Sequence, residues 1–158
     1  GVASLAAFRE YYMTKVEYDK YDMMYLVTGL DIVEQAANGQ ILDMGGFAYV
    51  GGICTHTRFG VGEDAAKTWY NVRTLAHEVG HLLGCPHDGD PVPAELNHPY
   101  GSTKCPWDWG YIMSYNQDSI NEFSFSTCCN DMIRHLVRMP SRRCMLTNDA
   151  HITYNNRT

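Results

Sequence analysis

The chain has 158 residues, with 18 acidic and 12 basic side chains and a formal net charge of −6. Its apolar fraction of 45% can form a buried core, which excludes a disordered tail, and the length fits one domain. The acidic balance argues against nucleic acid or an anionic membrane as the main partner. No apolar run approaches the roughly 18 residues of a membrane span. Residues 1–7 lack a basic segment and a long apolar stretch, so we expect no signal peptide, although a mature secreted chain would look the same.

Four elements are predicted in the first half of the chain. Apolar residues three and four apart predict a short amphipathic helix over residues 3–12. Residues 21–30 are rich in Met, Tyr, Leu and Val and predict a mostly buried strand. A turn is expected at Asn38-Gly39. The aromatic and β-branched run between two glycine pairs, residues 45–52, predicts an edge strand.

The second half is predicted to contain two helices separated by a long loop. Asp64 is a suitable N-cap for an amphipathic helix over residues 65–83, and Gly84 is where that helix should end. Residues 85–111 are rich in Pro, Gly, Asp and Asn and predict a functional or disulfide-linked loop. A last helix is expected over about residues 129–138, before a proline. An α/β part is therefore followed by an irregular one.

The cysteines indicate the compartment. None lies in a C-x2-C spacing, which disfavours a zinc ribbon or a thioredoxin-like motif. Six cysteines in a domain of this size predict three disulfides and an oxidising environment, and the alternative is six buried thiols in a cytosolic protein. Asn156 begins an acceptor triplet for N-glycosylation, which agrees with secretion.

The predicted central helix carries the pattern HExxHxxGxxH. His77 and His81 are four residues apart, so their rings lie on one helical face and can bind one zinc ion. Glu78 is rotated around the helix and should reach the water of the metal rather than the metal. Gly84 can adopt a positive φ and turn the chain, which brings His87 back as a third ligand.

Three protein ligands leave one zinc position open, which is typical of a catalytic site and argues against a purely structural zinc domain. The alternative is a helix with two ordinary surface histidines and an unrelated third. The remaining histidines have no ligand spacing, and we interpret them as surface or hydrogen-bonded residues: His56, His98, His135 and His151.

The motif and the residue after it resemble the metzincin zinc endopeptidases. Asp88, directly after the third histidine, is similar to the reprolysin branch of adamalysins and ADAM-type proteases. Residues 46–54 resemble the cleft-edge strand of the family with its following cysteine, and residues 22–28 resemble the strand before it. Residues 110–114 resemble the Met-turn, in which Met113 would form an apolar floor under the metal. The cysteine-containing segments look most like the tick salivary members, and the resemblance covers nearly the full chain.

The resemblance implies an α/β (α+β) metzincin-like fold in one catalytic domain, residues 1–158. A twisted mixed sheet and the active-site helix would form an upper subdomain, residues 1–84. An irregular lower subdomain, residues 85–158, would contain the Met-turn and a C-terminal helix. The family normally has a strand, a helix and further strands before the helix seen near residue 5. The sheet would then expose an apolar face and an unpaired edge. Either the chain is truncated at its N-terminus, or it packs against something else, and further C-terminal domains are additional expected partners.

The resemblance also implies covalent links and a second metal. A calcium site would use Asp22, the carbonyl of Cys144 and Asn148, although the N-terminal carboxylate of the family site is missing. Six cysteines allow 15 pairings, so composition does not fix the connectivity. The implied disulfides are Cys54–Cys144 and Cys105–Cys128, with Cys85–Cys129 as the remaining pair.

The function implied is that of a secreted zinc endopeptidase acting on extended protein substrates such as matrix or plasma proteins. Glu78 would accept a proton from the attacking water and deliver it to the leaving amine. The active-site helix and residues 114–116 would line a specificity pocket. The alternative is a catalytically silent fragment that binds a protein partner. The substrate is expected to pair with the strand residues Gly46, Phe47, Ala48 and Tyr49.

One residue departs from the reprolysin pattern. Reprolysins usually have proline two residues after the Met-turn methionine, and this chain has Tyr115. Astacin- and serralysin-type metzincins have a tyrosine there, whose phenol can ligate zinc at rest and swing away to bind the oxyanion. The resemblance thus implies that Tyr115 is a fifth ligand or a transition-state donor. The alternative is that it forms a wall of the substrate pocket.

Overall fold

The computed structural model describes residues 1–65 and 71–147. Short 3-10 turns occupy Val16–Tyr18, Ala94–Leu96, Trp107–Trp109 and Pro140–Leu146. None of the helices in these two ranges is both long and apolar enough to cross a membrane. In chain order the helices and strands are α1 (Val2–Met13), β1 (Met24–Thr28), β2 (Val33–Gln35), β3 (Ile41–Asp43), β4 (Gly46–Ala48), β5 (Phe59–Glu63), α2 (Val72–Leu82) and α3 (Thr127–Arg138).

A three-stranded mixed sheet has the order β1-β5-β4. Strand β5 runs parallel to β1 and antiparallel to β4, so the predicted mixed sheet and the edge position of β4 are confirmed. The central strand β5 was not predicted, because glycines alternate with its two buried apolar side chains, Phe59 and Val61. The Tyr25 side chain lies over those glycines, since a Cβ at Gly62 would lie 2.0 Å from its hydroxyl.

The prediction of a mostly buried strand over residues 21–30 is wrong. Strand β1 is shorter, and Leu26 and Val27 are 38% and 56% exposed. The physical reason is that β1 lies at the sheet edge opposite β4, and β5 is the only described strand that pairs with it. The separate hairpin β2–β3 places Gly39 at φ +84°, which confirms the turn predicted at Asn38-Gly39.

Helix α2 begins later than predicted. Asp64 does not cap it, because α2 begins only at Val72; the Asp64 amide instead donates to the Thr28 carbonyl at 2.8 Å and extends the β1–β5 ladder. Asn71 is the N-cap, and residues 66–70 lie outside the described chain. The helix ends at Leu82, and Gly84 follows with φ +98°, as predicted from its freedom at positive φ.

The C-terminal elements agree well with the prediction. Residues 85–111 form a loop with only short 3-10 turns among them. Helix α3 begins at Thr127, two residues before the expected start near Cys129, because the Ser126 hydroxyl accepts the Cys129 amide at 3.2 Å. It ends at Arg138, before Pro140.

Two apolar clusters and three disulfides hold these elements together. The alternative of free thiols is wrong, because the structure pairs all six cysteines as the resemblance implied: Cys54–Cys144, Cys85–Cys129 and Cys105–Cys128. One cluster joins α1 to the sheet through Leu5, Ile32, Phe59 and Val61. The larger one lies between α2, α3 and the loops and contains Ile53, Cys85, Leu96, Ile112, Met113, Cys129, Met132 and Leu136.

Candidate metal centre and substrate cleft

Three imidazoles converge at the C-terminal end of α2. His77 and His81 lie one turn apart on its inner face, 5% and 7% exposed. The turn at Gly84 brings back His87, whose Nε2 lies 3.2 Å from the Nε2 of His77. One nitrogen from each of the three rings lies within 4.8 Å of the others, so a single metal ion can be bound by all three. This is the only such cluster found in the described residues.

The protein fixes how two of these rings present their nitrogens. His77 Nδ1 donates to the Ile112 carbonyl and His81 Nδ1 donates to the Cys85 carbonyl, both at 2.7 Å. Because each Nδ1 carries the proton, each Nε2 keeps its lone pair for a metal. Burial lowers the pKa of His77 to about 4 and that of His81 to about 3, so both rings stay neutral, as metal ligands must be.

The third imidazole lies in a less buried environment. His87 Nδ1 faces Asp90, whose Oδ2 is 3.7 Å away. Burial lowers the pKa of His87, and the nearby Asp90 carboxylate partly opposes that shift. Sequence reasoning missed Asp90, although an acidic residue three positions after a ligand is a signal that a search for ligand-orienting groups would detect.

Glu78 lies beside the three rings and against the sheet. It is 5% exposed, and its Oε2 has no hydrogen-bond partner among the described residues. Burial raises the pKa of Glu78 to about 8. An unpaired oxygen at this depth is costly, and a cation with its bound water would satisfy it. Three imidazoles with an adjacent unpaired carboxylate fit the donor set of a zinc site.

Gly46 permits the close contact between Glu78 and strand β4. A Cβ at Gly46 would lie 2.8 Å from both Glu78 Cγ and the Val61 carbonyl oxygen. Only a residue without a side chain allows this approach. The edge strand and the carboxylate are therefore held side by side.

Met113 lies directly behind the helix that carries the ligands. It is fully buried, and a Cβ at Gly80 would lie 2.7 Å from its sulfur. The Met113 carbonyl accepts the Asp88 amide at 3.0 Å. His77 also bonds to the carbonyl of the preceding residue, Ile112. Residues 112–113 are therefore hydrogen-bonded to His77 and to Asp88, the residue directly after His87.

Tyr115 reaches the centre from the open side. Its hydroxyl lies 3.2 Å from His87 Nε2, while the residue remains 56% exposed. Trp107 packs edge-on against the Tyr115 ring and the His87 ring, with centroid distances of 5.0 and 5.8 Å. Burial, with the carboxylates of Glu78 and Asp90, raises the pKa of the Tyr115 phenol, so it stays protonated at neutral pH. Sequence reasoning gave Trp107 no role, and no local pattern indicates one.

Buried polar and covalent links hold the loop that presents His87. Asp88 is 2% exposed and accepts the Ser126 hydroxyl at 2.6 Å, which ties the loop to the start of α3. The disulfide Cys85–Cys129 adds a covalent link between the same two segments. The sequence marked Asp88 as a family feature but did not indicate Ser126, since 38 residues separate the pair.

The cleft beside the histidines contains two cavities. A cavity of about 290 Å³ lies towards the N-terminal half of α2, and a cavity of about 610 Å³ lies towards the loop at residues 86–93. Gly46 lines both of them, whereas Phe47 and Ala48 line the larger one. Tyr49 follows β4 and packs against the cluster between α1 and the sheet, so the structure does not place it in either cavity.

The other predicted residues lie away from the centre or outside the described chain. Asp22 is exposed, and its carbonyl accepts the Cys54 amide at 2.9 Å. Asn148, Asn156 and His151 lie outside the described residues, so the calcium site and the glycosylation site stay predictions. His135 donates to the Leu96 carbonyl at 2.7 Å and does not join the metal cluster, nor do His56 and His98.

Comparison with known proteins agrees with this geometry. The profile of a reprolysin family (Reprolysin_5, Metallo-peptidase family M12) matches residues 9–124. A Bombyx mori protein named "A disintegrin and metalloproteinase with thrombospondin motifs like" is 32% identical over 96% of this chain and 23% of its own length. The venom metalloproteinase antarease-like TserMP_B of Tityus serrulatus is 32% identical over 78% of this chain and 54% of its own length. Venom metalloproteinase BumaMPs1 of Olivierus martensii is 30% identical over 73% of this chain and 28% of its own length.

The chain belongs to the M12 metallopeptidases of the reprolysin type, which confirms the family indicated by the sequence. It spans between about a quarter and about half of the length of these three relatives. The similarity to tick salivary members stays a prediction.

Proposed function

We propose that the chain is a zinc-dependent endopeptidase that hydrolyses extended protein substrates. The observation that carries the proposal is the convergence of His77, His81 and His87 beside the buried, unpaired carboxylate of Glu78. These three imidazoles would hold one zinc ion. When bound, zinc lowers the pKa of a water molecule towards neutrality and polarises a carbonyl group.

Glu78 is the general base in this proposal. It accepts a proton from the attacking water and later delivers it to the amine of the leaving peptide. Its position supports the role, because Gly46 and the strand hold its side chain next to the ligand rings. A carboxyl group in so dry a site changes protonation state readily when charges form beside it.

The substrate would lie along β4, and Met113 would support the centre from behind. Strand β4 is an edge strand, so its outer backbone groups are available to pair with an extended peptide. Met113 packs under Gly80, between the two helical ligands, as an apolar floor of the Met-turn kind. We also propose that residues 1–84 and 85–158 form the upper and lower sides of the cleft.

We propose that Tyr115 donates its hydroxyl hydrogen to the oxyanion of the transition state. The distance of 3.2 Å between its oxygen and His87 Nε2 supports a role at the metal side of the cleft. A donor aimed at the charge that forms on the oxyanion stabilises the transition state more than the ground state. Tyr115→Phe should lower kcat/KM by about 10²-fold with little effect on zinc affinity. An unchanged kcat/KM would assign Tyr115 to the pocket wall, the alternative role.

Secretion is part of the proposal and is supported by the three disulfides and by the venom relatives. The competing function is that of a catalytically silent module that binds a protein partner through the same cleft. All three histidines and Glu78 are in place, which favours the enzyme.

Hydrolysis of a quenched casein or gelatin peptide, with and without chelator, distinguishes the two functions. The zinc-loaded chain should cleave the peptide, and a chelator should stop it. Glu78→Ala should lose turnover and retain zinc, whereas Glu17→Ala, which removes an exposed glutamate from a short 3-10 turn, should match the unmodified chain. Peptide binding without cleavage would support the silent module, and proteolysis by Glu78→Ala would refute the assignment of the base.

A further inference from the structure

The smaller cavity of the cleft has a composition that indicates a substrate preference. It encloses about 290 Å³ beside the N-terminal half of α2, and His77 and Glu78 form part of its wall. A peptide bond placed for attack beside Glu78 would therefore direct the side chain of an adjoining residue into this space. The side chains that line the cavity then select that residue.

Most of the described residues that line the cavity are polar. Asn71, Thr74 and Gln117 contribute amide and hydroxyl groups, and Met44 contributes an aliphatic side chain. A large apolar substrate side chain would displace water from the Asn71 amide and the Thr74 hydroxyl without replacing its hydrogen bonds, which disfavours its binding. The cavity is thus suited to a polar substrate side chain.

Two carboxylates, those of Asp43 and Glu63, give the cavity its negative charge. Asp43 at the end of β3 is exposed, and its carboxylate makes no hydrogen bond or ion pair within the described parts of the chain. Glu63 at the end of β5 accepts the Ile32 amide through one oxygen, which fixes the orientation of its carboxylate. Both carboxylates can therefore bind the cationic end of a substrate side chain with little rearrangement of the protein.

The one guanidinium in the described lining is already engaged by the backbone. Arg73 donates from Nε to the Glu122 carbonyl at 3.1 Å, and from Nη2 to the carbonyls of Tyr111 and Ser114 at 3.2 and 2.8 Å. These three oxygens hold the guanidinium against the loop that follows His87 and partly balance its charge. The described lining therefore remains negative overall.

The larger cavity has the opposite character. Phe47, Val50, Pro86 and Val92 are among the apolar residues that line it. Since both cavities share His77, Glu78 and Tyr115, a substrate across the centre meets one polar, acidic side and one apolar side.

We infer that the smaller cavity selects lysine or arginine at a residue that flanks the scissile bond. The long aliphatic part of that side chain would pass Met44, and its cationic end would meet the carboxylates of Asp43 and Glu63. The inference rests on the proposed peptidase function and adds a substrate class to it.

Cleavage of a peptide library by the zinc-loaded chain, read by mass spectrometry, tests the preference. Lysine or arginine should flank the cleaved bond at one fixed position more often than leucine. The double variant Asp43→Asn, Glu63→Gln should lower kcat/KM for a lysine peptide by roughly three- to ten-fold relative to the leucine peptide. Glutamine at position 63 can still accept the Ile32 amide. Glu10→Gln, an exposed change on α1, is the matched control and should leave the ratio unchanged.

A binding measurement separates this inference from the peptidase function. Fluorescence anisotropy of the same peptides with the Glu78→Gln protein should show tighter binding of the lysine peptide, and the neutral double variant should abolish that difference. Equal binding of the lysine and leucine peptides, or a lysine preference that survives the double variant, would overturn the inference. Absence of cleavage with an intact, carboxylate-dependent lysine preference would refute the peptidase function alone.

Discussion

The N-terminal region, residues 1–65, and the C-terminal region, residues 71–147, are held together in different ways. The N-terminal region buries one small cluster around Phe59 and leaves the apolar edge of β1 exposed. The C-terminal region contributes seven of the eight buried residues of the larger cluster, all except Ile53, and contains two disulfides within itself. All three candidate ligands lie in the C-terminal region. The positions of the candidate metal ligands therefore depend on the disulfide-linked region, whereas the sheet forms the edge of the cleft.

The two regions meet along a few specific contacts. The amides of Gly51 and Ile53 donate to the carbonyls of His81 and Leu82 at 2.7 and 3.2 Å, which joins the loop after β4 to the end of α2. The disulfide Cys54–Cys144 adds a covalent link. Gly46 of the N-terminal region lies against Glu78, so the position of the proposed base depends closely on how the two regions pack.

The largest combined effect on stability and zinc binding is expected from removing the disulfide Cys85–Cys129 inside the C-terminal region. The double variant Cys85→Ala, Cys129→Ala releases a link across 44 residues, which should lower the free energy of unfolding by about 4 kcal/mol. It should also weaken zinc binding, because residue 85 provides the carbonyl that orients His81. Denaturant unfolding and zinc titration provide the measurements.

The matched control is the double variant Cys54→Ala, Cys144→Ala, which removes the link between the regions. It should lower stability as well but leave the zinc affinity of the folded protein nearly unchanged. Equal losses of zinc affinity in the two double variants would contradict the comparison.

The next largest effect is expected at the contact between the regions. Gly46→Ala would force apart β4 and Glu78, since its Cβ would lie 2.8 Å from Glu78 Cγ. A displacement of the base by about 1 Å should lower kcat/KM by about 10²-fold while zinc stays bound. Gly45→Ala meets only the Thr74 side chain, at 3.3 Å, and should have a much smaller effect. Steady-state kinetics with metal analysis would show the difference, and equal effects of both variants would count against the role of Gly46.

A smaller loss is expected from overpacking beneath the ligands. In Gly80→Ala the new methyl group would lie 2.7 Å from the Met113 sulfur and 2.9 Å from the Phe125 ring. Such overpacking typically costs about 1–3 kcal/mol, which chemical denaturation can measure. Gly29→Ala in the N-terminal region meets only the Asp64 carbonyl, at 3.9 Å, and should be tolerated. If both alanines are tolerated equally, Met113 is not tightly packed against α2.

The smallest effect is expected on the exposed edge of the sheet. Val27→Thr on β1 should change the free energy of unfolding by less than about 0.5 kcal/mol, because the side chain is 56% exposed. The same substitution at Val61, which is 1% exposed, should cost about 1–3 kcal/mol for a buried hydroxyl without a partner. Thermal unfolding of the two variants provides the test. A large loss at Val27 would show that the β1 edge is covered in solution.

The candidate site could be predicted from the sequence as far as it is local. One helix and the turn after it contain all four residues of the site: His77, Glu78, His81 and His87. Their spacing in the sequence is therefore enough to predict that they lie close together. The carbonyl that orients His77 is 35 residues away at Ile112, and no local pattern indicates it. No local pattern indicates the contact of Trp107 with Tyr115 or the carbonyls that bind Arg73 either. These contacts depend on how separate segments of the chain pack.

The elements show the same limit. Helix α1 was predicted from apolar periodicity, and the end of α3 was predicted from Pro140; both are local signals. Strand β5 was missed because its glycines make room for the Tyr25 side chain on a neighbouring strand. The start of α2 was misplaced because Asp64 continues the pairing of β5 with β1, through its amide and the Thr28 carbonyl, and a contact between distant segments leaves no local signal.

The most direct test of the central claim is a zinc titration of the metal-free chain, followed by the rate of peptide hydrolysis. If His77, His81 and His87 form one catalytic zinc centre, the rate should rise in proportion to bound zinc and reach its maximum at one equivalent per chain. A rate that does not depend on zinc, or zinc that binds at one equivalent without producing hydrolysis, would contradict it.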